Sequence, residues 1–305
     1  MTKVALFAST PLALTSVQYL AQKQLLGVVI LTHKQTQEAM MVEQFLHHHQ
    51  IPYFRYNPEQ IDECLKLIEK CQCDLAIVNT FSILPEQVIE FFKDEIFNIH
   101  PSKLPSYRGR CPLFWQLKNQ ETESALTLHR LIPEVDAGDI ILQEKFNIEF
   151  DDTLGSLHSK LSQLNPVLLD KFFEKLEKEN SIEGKIQDGL ITDSPQPTET
   201  DLKIDWQQMT ASQICDLARA ANPGYGGARI LYKNSLISIL EATESIMPNY
   251  GVKPGSVIHI GAPEGFIVAT KDGSIRLDIL SVGEGVFSGL KFADKLRIDV
   301  GEQLN

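Results

Sequence analysis

Five short apolar runs, at residues 3–7, 26–31, 52–54, 74–78 and 97–100, alternate with stretches of helical periodicity at 16–24, 37–48, 60–70 and 85–92. Apolar runs bounded by turn residues read as strands buried on both faces. A strand–helix–strand alternation is accommodated by a parallel sheet with right-handed crossovers. The front of the chain is therefore predicted to be α/β, with a Rossmann-like, parallel-rich sheet. Its first turn reads Ala8-Ser9-Thr10-Pro11. It lacks the glycines that let backbone approach a pyrophosphate, which excludes a dinucleotide-binding fingerprint.

Behind this alternation the pattern changes. Residues 124–131 alternate as a strand, 133–139 form a loop and 140–144 a returning strand, a hairpin with a long loop. Residues 153–178 place Leu154, Leu157, Leu161, Leu164, Leu168 and Leu169 along one helical stripe, which is core material. The stretch 187–203 is polar, contains two prolines and is expected to be a linker. Beyond it, short strands at 236–241, 255–261, 265–270 and 274–282 are punctuated by glycine, the pattern of a small OB-like antiparallel barrel. The expected organisation is a domain over 1–186, a linker over 187–203 and a β-barrel domain over 204–305.

Composition narrows the partners. The chain has 305 residues, 43% hydrophobic and 22% charged, and a net charge of -12. Affinity for nucleic acid rests on phosphate neutralisation by Lys and Arg, so this balance disfavours nonspecific binding to a polyanion. The charge is uneven: from Lys203 onward 10 basic residues face 11 acidic ones, and before it 18 face 29. Five scattered cysteines argue against a disulfide framework. Cys71-x-Cys73 lacks a second pair at zinc spacing, and His47-His48-His49 ends a helical segment where a solvated face suffices, so no metal is expected. The first residues run straight into a strand without the succession of a signal peptide. No apolar run approaches the length of a membrane span. A cytoplasmic protein is expected.

The stretch 97–115 is unlike any core segment. In Phe97-Asn98-Ile99-His100 the polar pair shares one face of a strand that stops at Pro101. Strand ends of open α/β sheets carry ligand-binding loops. There an amide donor can stabilise the oxyanion of an acyl-transfer intermediate, and an imidazole can carry the proton. Taken singly, each is equally an ordinary strand-end residue satisfied by backbone. Asp136, in the loop of the later hairpin, is a candidate partner whose charge is expected to raise the His100 pKa.

Asn98-Ile99-His100-Pro101-Ser102, Leu104-Pro105, Tyr107-Arg108-Gly109, Pro112 and Trp115, followed by His129 and Asp136-Ala137-Gly138-Asp139-Ile140-Ile141, together resemble the signature of the 10-formyltetrahydrofolate-dependent formyltransferases. The resemblance extends over essentially the whole chain. It implies that Asn98, His100 and Asp136 are the catalytic residues and that 10-formyltetrahydrofolate is the formyl donor. It places the folate beside the loop after the fourth strand, with Phe81, Ile83, Leu84 and Pro85 as its wall. Ser102, Leu104 and Pro105 would shape the channel, and Ile132 and Val135 would also contact the folate. Arg108 and Arg110 are expected to meet a phosphate or carboxylate of the acceptor, or else to form salt bridges within the fold.

The family contains enzymes acting on different amines. Residues 204–206 and the Asn222-Pro223 turn resemble the entry to the carboxy-terminal domain of the methionyl-tRNA and amino-sugar formyltransferases, a domain that glycinamide ribonucleotide formyltransferase lacks. Methionyl-tRNA formyltransferases carry a basic insertion after the second strand, whereas this chain reads Leu31-Thr32-His33-Lys34-Gln35-Thr36-Gln37. Residues 126–131 and 282–285 are similar to the amino-sugar enzymes. A nucleotide-linked 4-amino sugar is the expected acceptor, with charged initiator tRNA as the alternative and a formyltetrahydrofolate hydrolase or folate-binding relative as a further one.

Overall fold

The structure is a computed structural model that describes residues 2–179, 182–233 and 235–305. In chain order its elements begin with β1 (Val4–Ala8), α1 (Leu14–Gln22), β2 (Leu26–Thr32), α2 (Gln37–His48), β3 (Tyr53–Tyr56), α3 (Ile61–Lys70), β4 (Leu75–Asn79), α4 (Glu86–Phe92) and β5 (Ile96–His100). They continue with α5 (Pro112–Lys118), β6 (Glu123–Arg130), β7 (Ile140–Asn147), α6 (Leu154–Lys178), α7 (Glu199–Leu202), α8 (Ala211–Ala221) and β8 (Ala228–Tyr232). The last are β9 (Ser235–Ser245), β10 (Val257–Gly261), β11 (Gly265–Ala269), β12 (Ser274–Val282), β13 (Gly285–Ser288) and α9 (Gly289–Leu296). The chain divides into two compact units. One comprises Met1–Gly109, Glu123–Asn147 and His158–Ser194; the other comprises Arg110–Thr122, Ile148–Leu157 and Pro195–Asn305.

The first unit is built on a sheet of seven strands among the described residues, in the order β3-β2-β1-β4-β5-β6-β7. The first five strands run parallel, as the alternation predicts, and β6 and β7 add an antiparallel edge. The central strands β1 and β4 are buried at every residue, which is why they read as continuous apolar runs. Ala5, Phe7, Val28, Ile30, Ala76, Val78 and Ile96 form one face of the sheet and pack with Cys64, Ile68, Val88 and Phe92 of α3 and α4. On the opposite face Phe97 meets Phe172 of α6 at 5.0 Å, and Tyr19 of α1 stacks on Phe173 at 6.2 Å. Burying an aromatic side chain of this kind stabilises by roughly 1.5 to 3 kcal/mol.

Strand order reverses between β1 and β4, and such a point opens a crevice at the carboxyl ends of the strands. The loops there are tied together, since Thr10 Oγ1 donates to Thr80 Oγ1 at 2.7 Å and Thr80 Oγ1 to the Asn79 carbonyl at 2.6 Å. Thr80 has φ +58°, costly for a β-branched residue.

The second unit is built on antiparallel strands in the order β10-β11-β12-β9-β8, with β13 on β12. Its edges are bridged by the last residues of the chain. The Asn305 N–H donates to the Leu231 carbonyl on β8 at 2.9 Å, the Leu304 N–H to the Gly255 carbonyl at 2.9 Å, and the Val257 N–H of β10 to the Glu302 carbonyl at 2.8 Å. The ring that the glycine-punctuated strands predict is thus closed by chain outside those strands.

The stretch 187–203, expected as a linker, is divided between the units. Residues up to Ser194 belong to the first and those from Pro195 to the second. Thr192 Oγ1 accepts from the Tyr107 N–H at 2.8 Å, and the Arg108 N–H donates to the Thr192 carbonyl at 2.8 Å. Its polar composition is that of a segment bonded through side chains and backbone.

Candidate active site

Asn98 of β5 and His129 of β6 are Cα partners across the antiparallel pair, and His100 pairs with Thr127. Directly opposed residues on one face of such a pair bring their side chains into contact. Asn98 Nδ2 lies 3.1 Å from His129 Nε2, and His129 Nδ1 lies 2.9 Å from the Arg130 carbonyl oxygen. That carbonyl takes the Nδ1 proton, which leaves Nε2 of the neutral ring as the acceptor for Asn98. The pairing of β6 with β7 shifts register between Leu128 and His129. Such a bulge re-aims a side chain at the end of a ladder.

Asp136 reaches this pair from the loop between β6 and β7. Its Oδ1 accepts from Asn98 Nδ2 at 3.1 Å and lies 3.3 Å from His129 Nε2. Its Oδ2 accepts from the Gly109 N–H at 2.8 Å and lies 3.4 Å from His100 Nδ1. His100 Nε2 donates to the Tyr107 carbonyl at 2.8 Å. Two backbone positions are strained to achieve this, Tyr107 at φ +62° and Asp136 at φ +49°. Asp tolerates the left-handed region better than most residues.

The side chains of His100, His129 and Asp136 are 5%, 2% and 11% exposed. Burial works against the Asp136 carboxylate. The His129 hydrogen bond, the charges on both imidazoles and the Gly109 N–H outweigh it and hold the pKa down to about 2. Burial also pushes His100 below its ordinary value, although Asp136 and the Tyr107 carbonyl pull the other way. The sequence-based expectation of a raised His100 pKa is thus corrected. Its attraction to Asp136 is present but smaller than the cost of charging a ring with almost no access to water. The resting centre is a neutral His100 beside an ionised Asp136.

The three residues expected to be catalytic therefore converge, with one difference. Asn98 was expected as a free donor, whereas both of its amide protons are occupied, by His129 and Asp136. His129 entered the sequence reading only as part of a signature. The alternation of β6 marks it as facing one side, but its partner depends on strand register.

The remaining predicted residues are spread more widely. Phe81 meets Phe7 edge-on at 5.4 Å and Leu84 is buried in the core cluster, so both side chains pack inward. Ile83 is 81% exposed beside them, and Pro85 is partly buried. Ser102 donates to the Ser106 carbonyl at 2.7 Å, closing the turn that holds the buried Leu104 and Pro105. Ile132 and Val135 are exposed on the catalytic loop. Arg108 donates from Nε and Nη2 to Gln187 Oε1, at 3.2 and 2.8 Å, and its Nη1 approaches Glu134 at 3.4 Å. Arg110 is exposed and belongs to the second unit.

Among the described residues no helix is long and apolar enough to cross a membrane.

Comparison with known proteins places this centre in context. The formyl transferase family matches residues 14–171, and the formyl transferase C-terminal domain matches residues 197–294. The methionyl-tRNA formyltransferase of Geobacter metallireducens is 30% identical over 258 residues, 84% of this chain and 81% of that one. Among solved structures, the N-formyltransferase from Helicobacter canadensis in complex with folinic acid and dTDP-3-aminofucose is similar with a TM-score of 0.68. Its identity is 21%, over 90% of this chain and 98% of that one. A variant of HypX from Aquifex aeolicus is similar with a TM-score of 0.67 at 17% identity, over 99% of this chain and 51% of that one. This chain thus spans about half the length of HypX. The two structural likenesses speak for the fold alone. The matched families and the 30% relative carry more, and they establish that this chain belongs to the formyl transferase family of enzymes.

Proposed function

We propose that this enzyme transfers the formyl group of 10-formyltetrahydrofolate to the primary amine of a nucleotide-linked amino sugar. The amine nitrogen bonds to the formyl carbon, the bond from that carbon to N10 breaks, one amine proton is lost and N10 gains one. Asn98 donates an N–H to the developing oxyanion, exchanging one of its two 3.1 Å contacts for the formyl oxygen. Contacts of that length are easily exchanged, and catalytic hydrogen bonds often shorten only once substrate is bound. Asp136 accepts the amine proton, and His100 shares it through Nδ1, 3.4 Å away. The Tyr107 carbonyl holds the opposite edge of the ring during that step. The crevice between β1 and β4, with Ile83 exposed at its β4 loop, suits a flat apolar ring with polar edges.

The observation that carries the sugar reading is the connection from β2 to α2. Thr32 ends the strand, Gln37 begins the helix, and Lys34 is the one Lys or Arg between them. Too short to hold the basic insertion of the tRNA enzymes, it sits in a chain of net charge -12, which opposes a polyanionic acceptor. A second reading, transfer to methionyl-tRNA, is favoured by the 30% identity to an enzyme of that name. Purified protein is to be incubated with 10-formyltetrahydrofolate and, separately, with dTDP- and UDP-linked amino sugars and with methionyl initiator tRNA. Mass spectrometry is expected to find a formylated sugar. Formylation of the tRNA alone overturns the proposal, and formate release without any acceptor points to the hydrolytic alternative.

A further inference from the structure

Gln187 lies outside both matched family segments and is 51 residues from Asp136 along the chain. Its side chain nonetheless uses its full hydrogen-bonding capacity on the catalytic loop. Nε2 donates to the Asp136 carbonyl at 2.7 Å and to the Gly138 carbonyl at 2.8 Å. Oε1 accepts from Arg108 Nε at 3.2 Å and Nη2 at 2.8 Å. An amide has two donor and two acceptor positions, and all four are filled. Only this orientation works, because turning the amide over would aim N–H groups at a guanidinium and oxygen at two carbonyls.

The loop it holds has few other anchors. Ile132, Pro133, Glu134 and Val135 are exposed, and Asp136 sits at φ +49°. A residue in that region stays there only when its surroundings over-determine it. We infer that Gln187 is a positioning residue for formyl transfer: it clamps the backbone of Asp136 and Gly138 to Arg108, and so keeps the Asp136 carboxylate between Asn98 and His100. This inference rests on the proposed role of those three residues. It also gives Arg108 a use different from binding the acceptor, since its guanidinium is held by Gln187 and faces Glu134.

The test reads the position of Asp136 through His100. The groups facing that ring are the Asp136 carboxylate, the His129 ring with centroids 6.4 Å apart, and the Tyr107 carbonyl. Nitrogen-15 NMR titration of His100 in the full chain, assigned with His100→Gln, is to be compared for wild type, Gln187→Leu, Gln187→Glu, Asp136→Asn and Gln187→Leu/Asp136→Asn. Gln187→Leu is expected to lower the titration midpoint in the same direction as Asp136→Asn, with the double variant going no further than Asp136→Asn. Gln187→Glu keeps the acceptor end for Arg108 and loses both donors to the loop, so it is expected to show the same shift even if Gln187→Leu folds poorly. With whichever acceptor wild type formylates, both variants are expected to lose about ten- to a hundredfold in kcat, the scale of a misplaced catalytic group. KM for 10-formyltetrahydrofolate is expected to stay within about twofold, because the donor contacts are unchanged. An unchanged His100 midpoint and kcat in Gln187→Glu overturns the inference, as does a Gln187→Leu effect that adds to Asp136→Asn. If wild type formylates no acceptor, the proposed function fails while the titration still decides whether Gln187 positions Asp136.

Discussion

Asn98 and His129 face each other across β5 and β6, and the Nδ2–Nε2 contact of 3.1 Å between them orients the amide whose second proton goes to Asp136. Replacing Asn98 by Ala removes the donor to the oxyanion. Loss of one such donor costs about a hundred- to a thousandfold in kcat. Steady-state kinetics of Asn98→Ala are expected to show that loss with little change in KM for the folate, and circular dichroism to show an intact fold.

His129→Gln tests the partner that the sequence reading did not single out. A glutamine accepts from Asn98 less rigidly and leaves Asp136 without the imidazole beside Oδ1. A loss of about tenfold or more in kcat is expected, smaller than for Asn98→Ala because the oxyanion donor remains. Kinetics of the two single variants and the double variant check it, with the double expected to be much less impaired than the product of the singles.

The buried titratable groups give stability a pH dependence in two windows. His100 is pushed down by burial, so below the unfolded histidine value of about 6.5 the unfolded chain takes up a proton that the folded one refuses. Its contribution is full above that value and is lost as pH falls through the lower folded value. Asp136 is also depressed, to about 2, so its contribution is intact above the unfolded value of about 3.9 and is lost only on approach to about 2. Denaturant melts between pH 7 and 5 are expected to lose stability in wild type and less in His100→Gln.

Gly138→Ala is expected to damage both stability and turnover. A Cβ there would run into the carbonyl oxygen of Arg130, a backbone atom that cannot swing aside. Overpacking of this sort costs about 1 to 3 kcal/mol, and the strain falls two residues from Asp136. A lower Tm together with a fall in kcat is the expected outcome, measured by thermal melts and steady-state assay.

Truncation after Gly301 removes the hydrogen bonds from the tail to Leu231, Gly255 and Val257, along with the buried Leu304. Losing one buried leucine costs about 2 to 5 kcal/mol, and unpaired strand edges promote association. A lower Tm and increased light scattering are expected relative to the full chain.

Much of this was legible in the residues. The strands of the first unit show as apolar runs, and Asn98 and His100 stand out because strand alternation places both on one face before Pro101. Other features depend on pairings with no local signal. That His129 meets Asn98 follows from the register of β6 against β5. Phe81 and Leu84 turn inward because Phe7 and the α3–α4 core receive them, although their loop position suggested an open wall. Gln187 is one polar residue in a polar stretch, and its importance arises from two carbonyls and a guanidinium contributed by distant segments.

The boundary at Ser194 and Pro195 also bears on recombination between relatives. An exchange of the carboxy-terminal part placed just after α6 would import a foreign 182–194 segment and discard the clamp on Asp136, so a hybrid built there inherits a slack centre whatever its new half recognises. Moving the junction to residue 195 keeps the native strap with the loop it evolved to hold.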